Sequence, residues 1–216
     1  VSDRRRVRVK PMTAGEAPRG YIVGAHDVLS ILLPPEPDIA RPGAFSAPTR
    51  VSARVNTTGE IQLPRIGIVH VAGQTLPESH ETIHAELARY FKDPWVVVQV
   101  ETYQSQPIAL IGSFNMPGLY FMDRPTNVLA ALALGSGLHE SAWLRGACII
   151  RDGEVLPVDL RDLLERGDTK QNIWLQADDT IYIPNNAEQR VVVLGSVRRP
   201  GVYPMVNGRL TLAEAL

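Results

Sequence analysis

One cysteine stands among the 216 residues, so no disulfide can close within the chain, and a zinc site of the Cys/His kind lacks its ligands. That residue, Cys148, lies in the run Ala147-Cys148-Ile149-Ile150 and reads as a small buried hydrophobe. Long apolar runs are missing too. The longest, Val128 to Leu134, falls far short of the ~20 residues a helix needs to cross a bilayer. Nor is there an excess of charge of one sign: the formal net charge is −1, which argues against a nucleic-acid binder with its basic face. No signal-peptide pattern opens the sequence at Val1, so the expectation is a processed chain or part of a longer one. The sequence holds no Gly-x-Ser-x-Gly elbow, no glycine-rich phosphate loop and no Cys/His pairing of a nucleophilic enzyme.

What the sequence does have is 44% hydrophobic residues with 17 glycines and 17 prolines. That is the composition of a folded protein with many turns and short elements, and the expected class is α+β. Residues 1–20 carry Arg4, Arg5, Arg6, Arg8 and Lys10 ahead of a Pro/Gly-rich stretch, and read as a solvated basic arm. Tyr21 to Ile31 reads as a tight turn between two apolar segments. Strands are expected at Val51–Val55, Glu60–Leu63 and Ile68–Val71, with corners at Thr58-Gly59 and Pro64 to Gly67. Thr75-Leu76-Pro77-Glu78 has the spacing of a capping box and opens a helix to Phe91, with Leu76, Ile83, Leu87, Tyr90 and Phe91 as its buried stripe. Trp95 to Val100, apolar on both faces, is expected to be a central strand with Trp95 in the core.

The most informative feature is an internal repeat. Ile111-Gly112-Ser113-Phe114-Asn115-Met116-Pro117-Gly118-Leu119-Tyr120 returns 83 positions later as Leu194-Gly195-Ser196-Val197-Arg198-Arg199-Pro200-Gly201-Val202-Tyr203. Each copy reads as strand, Pro-Gly turn, strand and then an alanine-rich helix, Asn127 to Leu132 in the first and Thr211 to Leu216 in the second. Pro117-Gly118 and Pro200-Gly201 are expected to be type II turns with glycine at positive φ. The first copy runs on through Cys148 to Ile150, an Asp152-Gly153 hairpin turn, a strand Val155–Val158 and a last strand Asp179–Ile183. The second copy is cut short at Leu216.

These residues resemble the outer-membrane polysaccharide export family, whose members carry an export domain followed by soluble-ligand-binding β-grasp (SLBB) modules. Tyr21 to Ile31 is similar to the family's opening segment, with Gly24-Ala25-His26-Asp27 where Gly-Pro-Gly-Asp is usual. Gly59 to Gly67 and Val71 to Thr75 resemble the core of that domain, the two Pro-Gly-x-Tyr copies the starts of successive modules, and Asp178 to Pro184 the closing strand of the first. The resemblance implies an arm over 1–20, an export domain over 21–103, a first SLBB module over 104–185 and the start of a second over 190–216. It also implies a homo-oligomeric ring in the periplasm, associated with the outer membrane, through which a capsular or exopolysaccharide leaves the cell. The implied partners are further copies of the chain, the polysaccharide and an inner-membrane polysaccharide co-polymerase. The implied protein is not an enzyme and takes no cofactor.

Two other readings stand beside this one. A monomeric glycan-binding or protein-docking β-grasp module would use the same surface. A zinc hydrolase would be built on His80-Glu81-Thr82-Ile83-His84, whose spacing puts two imidazoles on one helical face with Glu81 as general base. No third ligand follows at short range, and the helix already has a packing role. Asp178-Asp179 and Asp159/Asp162 read as a strand start and a helix N-terminus rather than as catalytic carboxylate pairs. The candidates for glycan or subunit contact are Arg198 and Arg199, as donors to a carboxylate, and Trp143 and Trp174, as stacking platforms near loops.

Overall fold

The computed structural model describes residues 20–34, 47–92, 94–186, 190–195 and 200–204. They divide into two compact units: the described residues of Pro18–Pro107 with Phe121–Pro125, and those of Ile108–Tyr120 with Thr126–Leu216. Helices and sheets are both present in a strand-rich α+β chain.

The first unit contains β1 (Val28–Leu33), β2 (Thr49–Arg54), β3 (Glu60–Leu63), β4 (Gly67–His70), α1 (Leu76–Leu87) and β5 (Val97–Thr102). β1 lies between β2 and β5, antiparallel to both, and β3 pairs with β4 as a separate hairpin. Strand alternation buries Leu29 and Ile31 of β1, and Ile61 and Leu63 of β3, against Ile83 and Leu87 of α1. The capping box forms as the spacing predicts. The Thr75 backbone N–H donates to Glu78 Oε2 at 2.7 Å, and the Glu78 N–H donates to Thr75 Oγ1 at 3.5 Å.

Two expectations fail here. The helix ends at Leu87, because the Arg89 and Tyr90 N–H groups turn back to carbonyls only three residues earlier. Tyr90 is therefore 61% exposed instead of buried. The strand after it starts at Val97 and, among the described residues, is an edge paired only with β1; Trp95, just before it, is 43% exposed and not core. A run apolar on both faces marks hydrophobic content, whereas strand order is set by which segments pair.

The second unit contains β6 (Pro107–Gly112), β7 (Gly118–Phe121), α2 (Val128–Leu134), β8 (Cys148–Arg151), β9 (Glu154–Val155), α3 (Leu160–Arg166) and β10 (Thr180–Ile183). The sheet order is β7-β6-β10-β8-β9. β6 and β10 run parallel at its centre, while β8 is antiparallel to β10, which is the β-grasp arrangement. Ile108, Leu110, Ile149, Ile181 and Ile183 form the buried face of the sheet, and Val128, Leu132, Leu160 and Leu163 of the helices are buried with them. The β8–β9 turn has Asp152 at φ 52° and Gly153 at φ 80°, the two positive angles a type I′ turn requires. β9 stops at Val155, short of the expected Val158: the Leu156 N–H still donates to the Ile149 carbonyl of β8, but Pro157 has no N–H with which to continue the pairing. Cys148 is half-buried, on the opposite face of β8 from Ile149, which corrects the expectation of a fully buried residue.

β11 (Arg190–Val193) and β12 (Gly201–Pro204) form an antiparallel hairpin from the second repeat copy. Arg198, Arg199 and the expected Thr211–Leu216 helix lie outside the described residues.

Candidate functional site

In the first unit the most heavily bonded polar group is the carboxylate of Asp27, which is fully buried. Its Oδ1 accepts from the backbone N–H groups of Gln104 (2.7 Å) and Ser105 (2.9 Å). Its Oδ2 accepts from the Tyr21 hydroxyl (2.6 Å), the Ser105 hydroxyl (2.9 Å) and the Gly24 N–H (3.0 Å). A buried carboxylate is tolerable only when its lone pairs are satisfied in this way. Five donors converge on it from two segments that lie far apart in sequence. Burial, and then the hydrogen bond to Asp27, push the Tyr21 hydroxyl well above the ordinary phenol range. The turn's sequence follows from its geometry. A Cβ on Gly24 would sit 2.5 Å from Ser105 Cβ. His26 adopts φ 75°, a left-handed angle that glycine takes without strain.

In the second unit the corresponding tie is Arg151 with Asp179. Arg151 Nε donates to Asp179 Oδ1 at 2.7 Å and its NH2 group to Oδ2 at 2.6 Å, a bidentate pair with side chains 11% and 0% exposed. The Arg151 NH2 group also donates to the Trp174 carbonyl at 3.1 Å, and the Gln176 N–H donates to Asp179 Oδ2 at 2.8 Å. Hydrogen bonding to Asp179 holds the Arg151 guanidinium in its charged form, above its usual pKa. Asp179 directly precedes β10, at the strand start the sequence implied. Asp159 caps α3, accepting from the Arg161 and Asp162 N–H groups at 2.9 and 3.0 Å. Sequence reasoning placed Asp27 inside a motif and Asp179 at a strand but assigned neither its partners. Those partners, Ser105 and Arg151, are distant in sequence and carry no local signal.

The repeat's glycines divide the work differently from the expectation. Gly118 and Gly201 are not at positive φ; the left-handed positions are Gly112 (φ 95°) and Gly195 (φ 107°). A Cβ on Gly112 would overlap the carbonyl oxygen of Ile183, which accepts from the Ser113 N–H at 2.7 Å. At Gly118 and Gly201 the nearest atom to such a Cβ is a tyrosine ring carbon two residues on, 3.8 Å away in both copies. Pro-Gly-x-Tyr therefore leaves room beside the ring of Tyr120 or Tyr203. In the first copy the Tyr120 hydroxyl then closes the loop by donating to the Met116 carbonyl at 2.8 Å.

The remaining candidates are scattered. The His80 and His84 rings stack with centroids 6.2 Å apart, and His80 Nε2 donates to the Val96 carbonyl at 3.1 Å, so one of the two imidazoles is already committed. Among the described residues no group of three or more His, Cys, Asp or Glu converges on a metal position. Trp143 is half-buried over Gly146, and its indole N–H is shut away from solvent without a protein partner. Trp174 is half-buried, with its backbone bridged to Asn127.

Residues 15–101 match the family described as Polysaccharide biosynthesis/export protein, and residues 106–183 match the SLBB domain. The chain is 31% identical over 223 residues to the EPS I polysaccharide export outer membrane protein EpsA of Ralstonia nicotianae, across 96% of this chain and 58% of that protein. The chain belongs to the polysaccharide export family. Within the family it is also 27% identical to the capsule polysaccharide export protein BexD of Haemophilus influenzae, over 75% of this chain and 40% of that one. With the capsule polysaccharide export outer membrane protein CtrA of Neisseria meningitidis it shares 24% over 75% of this chain and 41% of that one. The chain thus spans about three fifths of the length of the first relative and about two fifths of the others. Both buried ties fall in or beside the two family segments. Asp27 lies in the first, and its partners Gln104 and Ser105 lie in the short stretch between the first and the second.

Proposed function

We infer that this chain is a structural component of a polysaccharide export path, located in the periplasm in association with the outer membrane, and that it works as a passive conduit rather than an enzyme. The observation that carries the reading is the order of the two matched segments, export domain and then SLBB domain, in a chain similar to proteins named for outer-membrane polysaccharide export. The proposed division is an export domain over 21–103, an SLBB module over 104–185 and the start of a second over 190–216. Copies of the chain form a ring that encloses the polymer's path and docks to an inner-membrane co-polymerase. A polymer must keep moving, so the path offers many weak polar contacts rather than one tight site. Arg198, Arg199, Trp143 and Trp174 are the side chains proposed to supply glycan or subunit contacts. Asp27 and Arg151 serve as the internal ties that hold each wall element in shape.

The test is a deletion strain complemented with this chain in its full-length context. The polysaccharide is expected outside the cell in the complemented strain and retained inside in the deletion. The mass of the native particle in membrane or detergent is expected to be a multiple of the chain. A particle that stays monomeric would replace the ring with a monomeric glycan-binding or protein-docking module. Unchanged export in the deletion would remove the role altogether.

A further inference from the structure

The β3–β4 hairpin turns through Pro64, Arg65 and Ile66. The Ile66 N–H donates to the Pro64 carbonyl at 2.9 Å, a bond that spans only two residues, and Arg65 between them stands at φ 68°. Such a bond around a positive φ marks the rare and strained form of the γ-turn. Asp152, Asp178 and His26 also have positive φ, but side chains of their types enter that region readily, whereas arginine does not. The angle is costly for any residue with a Cβ, and glycine would adopt it freely, as Gly67 does two positions on at φ 87°. An arginine at a position that suits glycine points to work for its side chain.

The same turn walls an open cleft of about 570 Å³, lined by Val51 of β2 together with Gln62, Leu63, Pro64, Arg65 and Gly67. That volume lies within the roughly 300–1,000 Å³ of small-ligand sites. Among the described residues that line it, Arg65 carries the one charge, Gln62 adds an amide, and Val51, Leu63 and Pro64 are apolar. We propose that this cleft is a subsite for a sugar residue bearing a carboxylate. A guanidinium meets a planar carboxylate through two parallel N–H···O bonds. The Gln62 amide offers a donor and an acceptor to ring hydroxyls, and the apolar side chains suit the C–H face of a pyranose. All the lining residues belong to one compact unit, so no second copy is needed to form the subsite. The proposal rests on the export reading and gives the moving polymer a charged foothold. Arg65 is exposed, so the ion pair stays solvated and weak, and the polymer is released rather than held.

The experiment titrates the full chain by saturation-transfer NMR with three probes: cellobiouronic acid, cellobiose, which lacks the carboxylate, and glutarate, which lacks the ring. Wild type is compared with Arg65→Gly and, as control, with Arg89→Ala, an exposed arginine of the same unit. Cellobiouronic acid is expected to bind at least about tenfold more tightly than either other probe, with binding lost in Arg65→Gly and kept in Arg89→Ala. The melting temperature of Arg65→Gly is expected to hold or rise, because relief of the turn's strain offsets the greater freedom of glycine in the unfolded chain. Equal binding of the three probes, or none, would overturn the subsite, and so would equal binding of the acid by wild type and Arg65→Gly. A lower melt in Arg65→Gly would overturn it too, since the side chain would then serve the fold. Complementation of the deletion strain separates the subsite from the reading beneath it. Export restored by a chain that fails the titration leaves the conduit role standing, whereas a chain that binds the acid without restoring export keeps the subsite and removes that role.

Discussion

Asp27 is fully buried and takes five donors from its neighbours, which fix its charge and shape. In Asp27→Asn one acceptor oxygen becomes an NH2 group aimed at existing donors. A loss of about 2–4 kcal/mol follows from the unsatisfied buried groups, read as a lower denaturant midpoint at constant slope. Tyr21 makes the same cluster sensitive to alkali. Its pKa is raised in the folded state, so folding binds the phenol proton more tightly. The stabilisation is complete below the ordinary tyrosine value of about 10 and is lost as pH rises beyond it. Melting temperature is therefore expected to fall above that pH, with a shallower fall in Tyr21→Phe; identical slopes in the two proteins would contradict the assignment. At Arg151, removing one partner strands Asp179 in the interior. Arg151→Met should cost about 3–5 kcal/mol, and adding Asp179→Leu should restore much of it, because a buried pair repays little more than its own desolvation.

At the scale of elements, the strands of the second unit depend on Gly112 far more than on Gly118. Gly112→Ala puts a methyl group onto the Ile183 carbonyl at a left-handed φ. The parallel β6–β10 pairing at the sheet centre has to move, and the melt is expected to lose its cooperative transition or shift down by more than ten degrees, at about 4–8 °C per kcal/mol. Gly118→Ala meets only a tyrosine ring edge and is expected to shift the melt by a few degrees at most. Equal effects would mean that the Pro-Gly pair carries the constraint after all. The sequence made the repeat plain but assigned the positive φ to the wrong glycine. A Pro-Gly pair is a familiar turn signal, whereas the demand on Gly112 comes from a strand some 70 residues away. The capping box and the Asp-Gly hairpin were legible because each is settled within four residues. Helix end and strand rank were not, since Tyr90 and Trp95 are placed by what their segments fail to pair with.

At the scale of the whole molecule, each buried tie lies within its own compact unit. The effects of Asp27→Asn and Arg151→Met on stability are accordingly expected to add to within about 0.5 kcal/mol in the double variant. A larger departure, measured by a double-mutant cycle, would show that the two ties are coupled.

The sequence by itself determined the family, the α+β class, the repeat and the local devices that start helices and turn hairpins, because each is written in residue order and short spacing. It also carried Asp27 in a motif and Asp179 at a strand start, without the partners of either. The tertiary structure alone decided that these carboxylates are buried ties and that His80 is committed to a backbone carbonyl. The physical reason is the same in each case: a lone pair is satisfied by partners that only folding brings within a few ångströms.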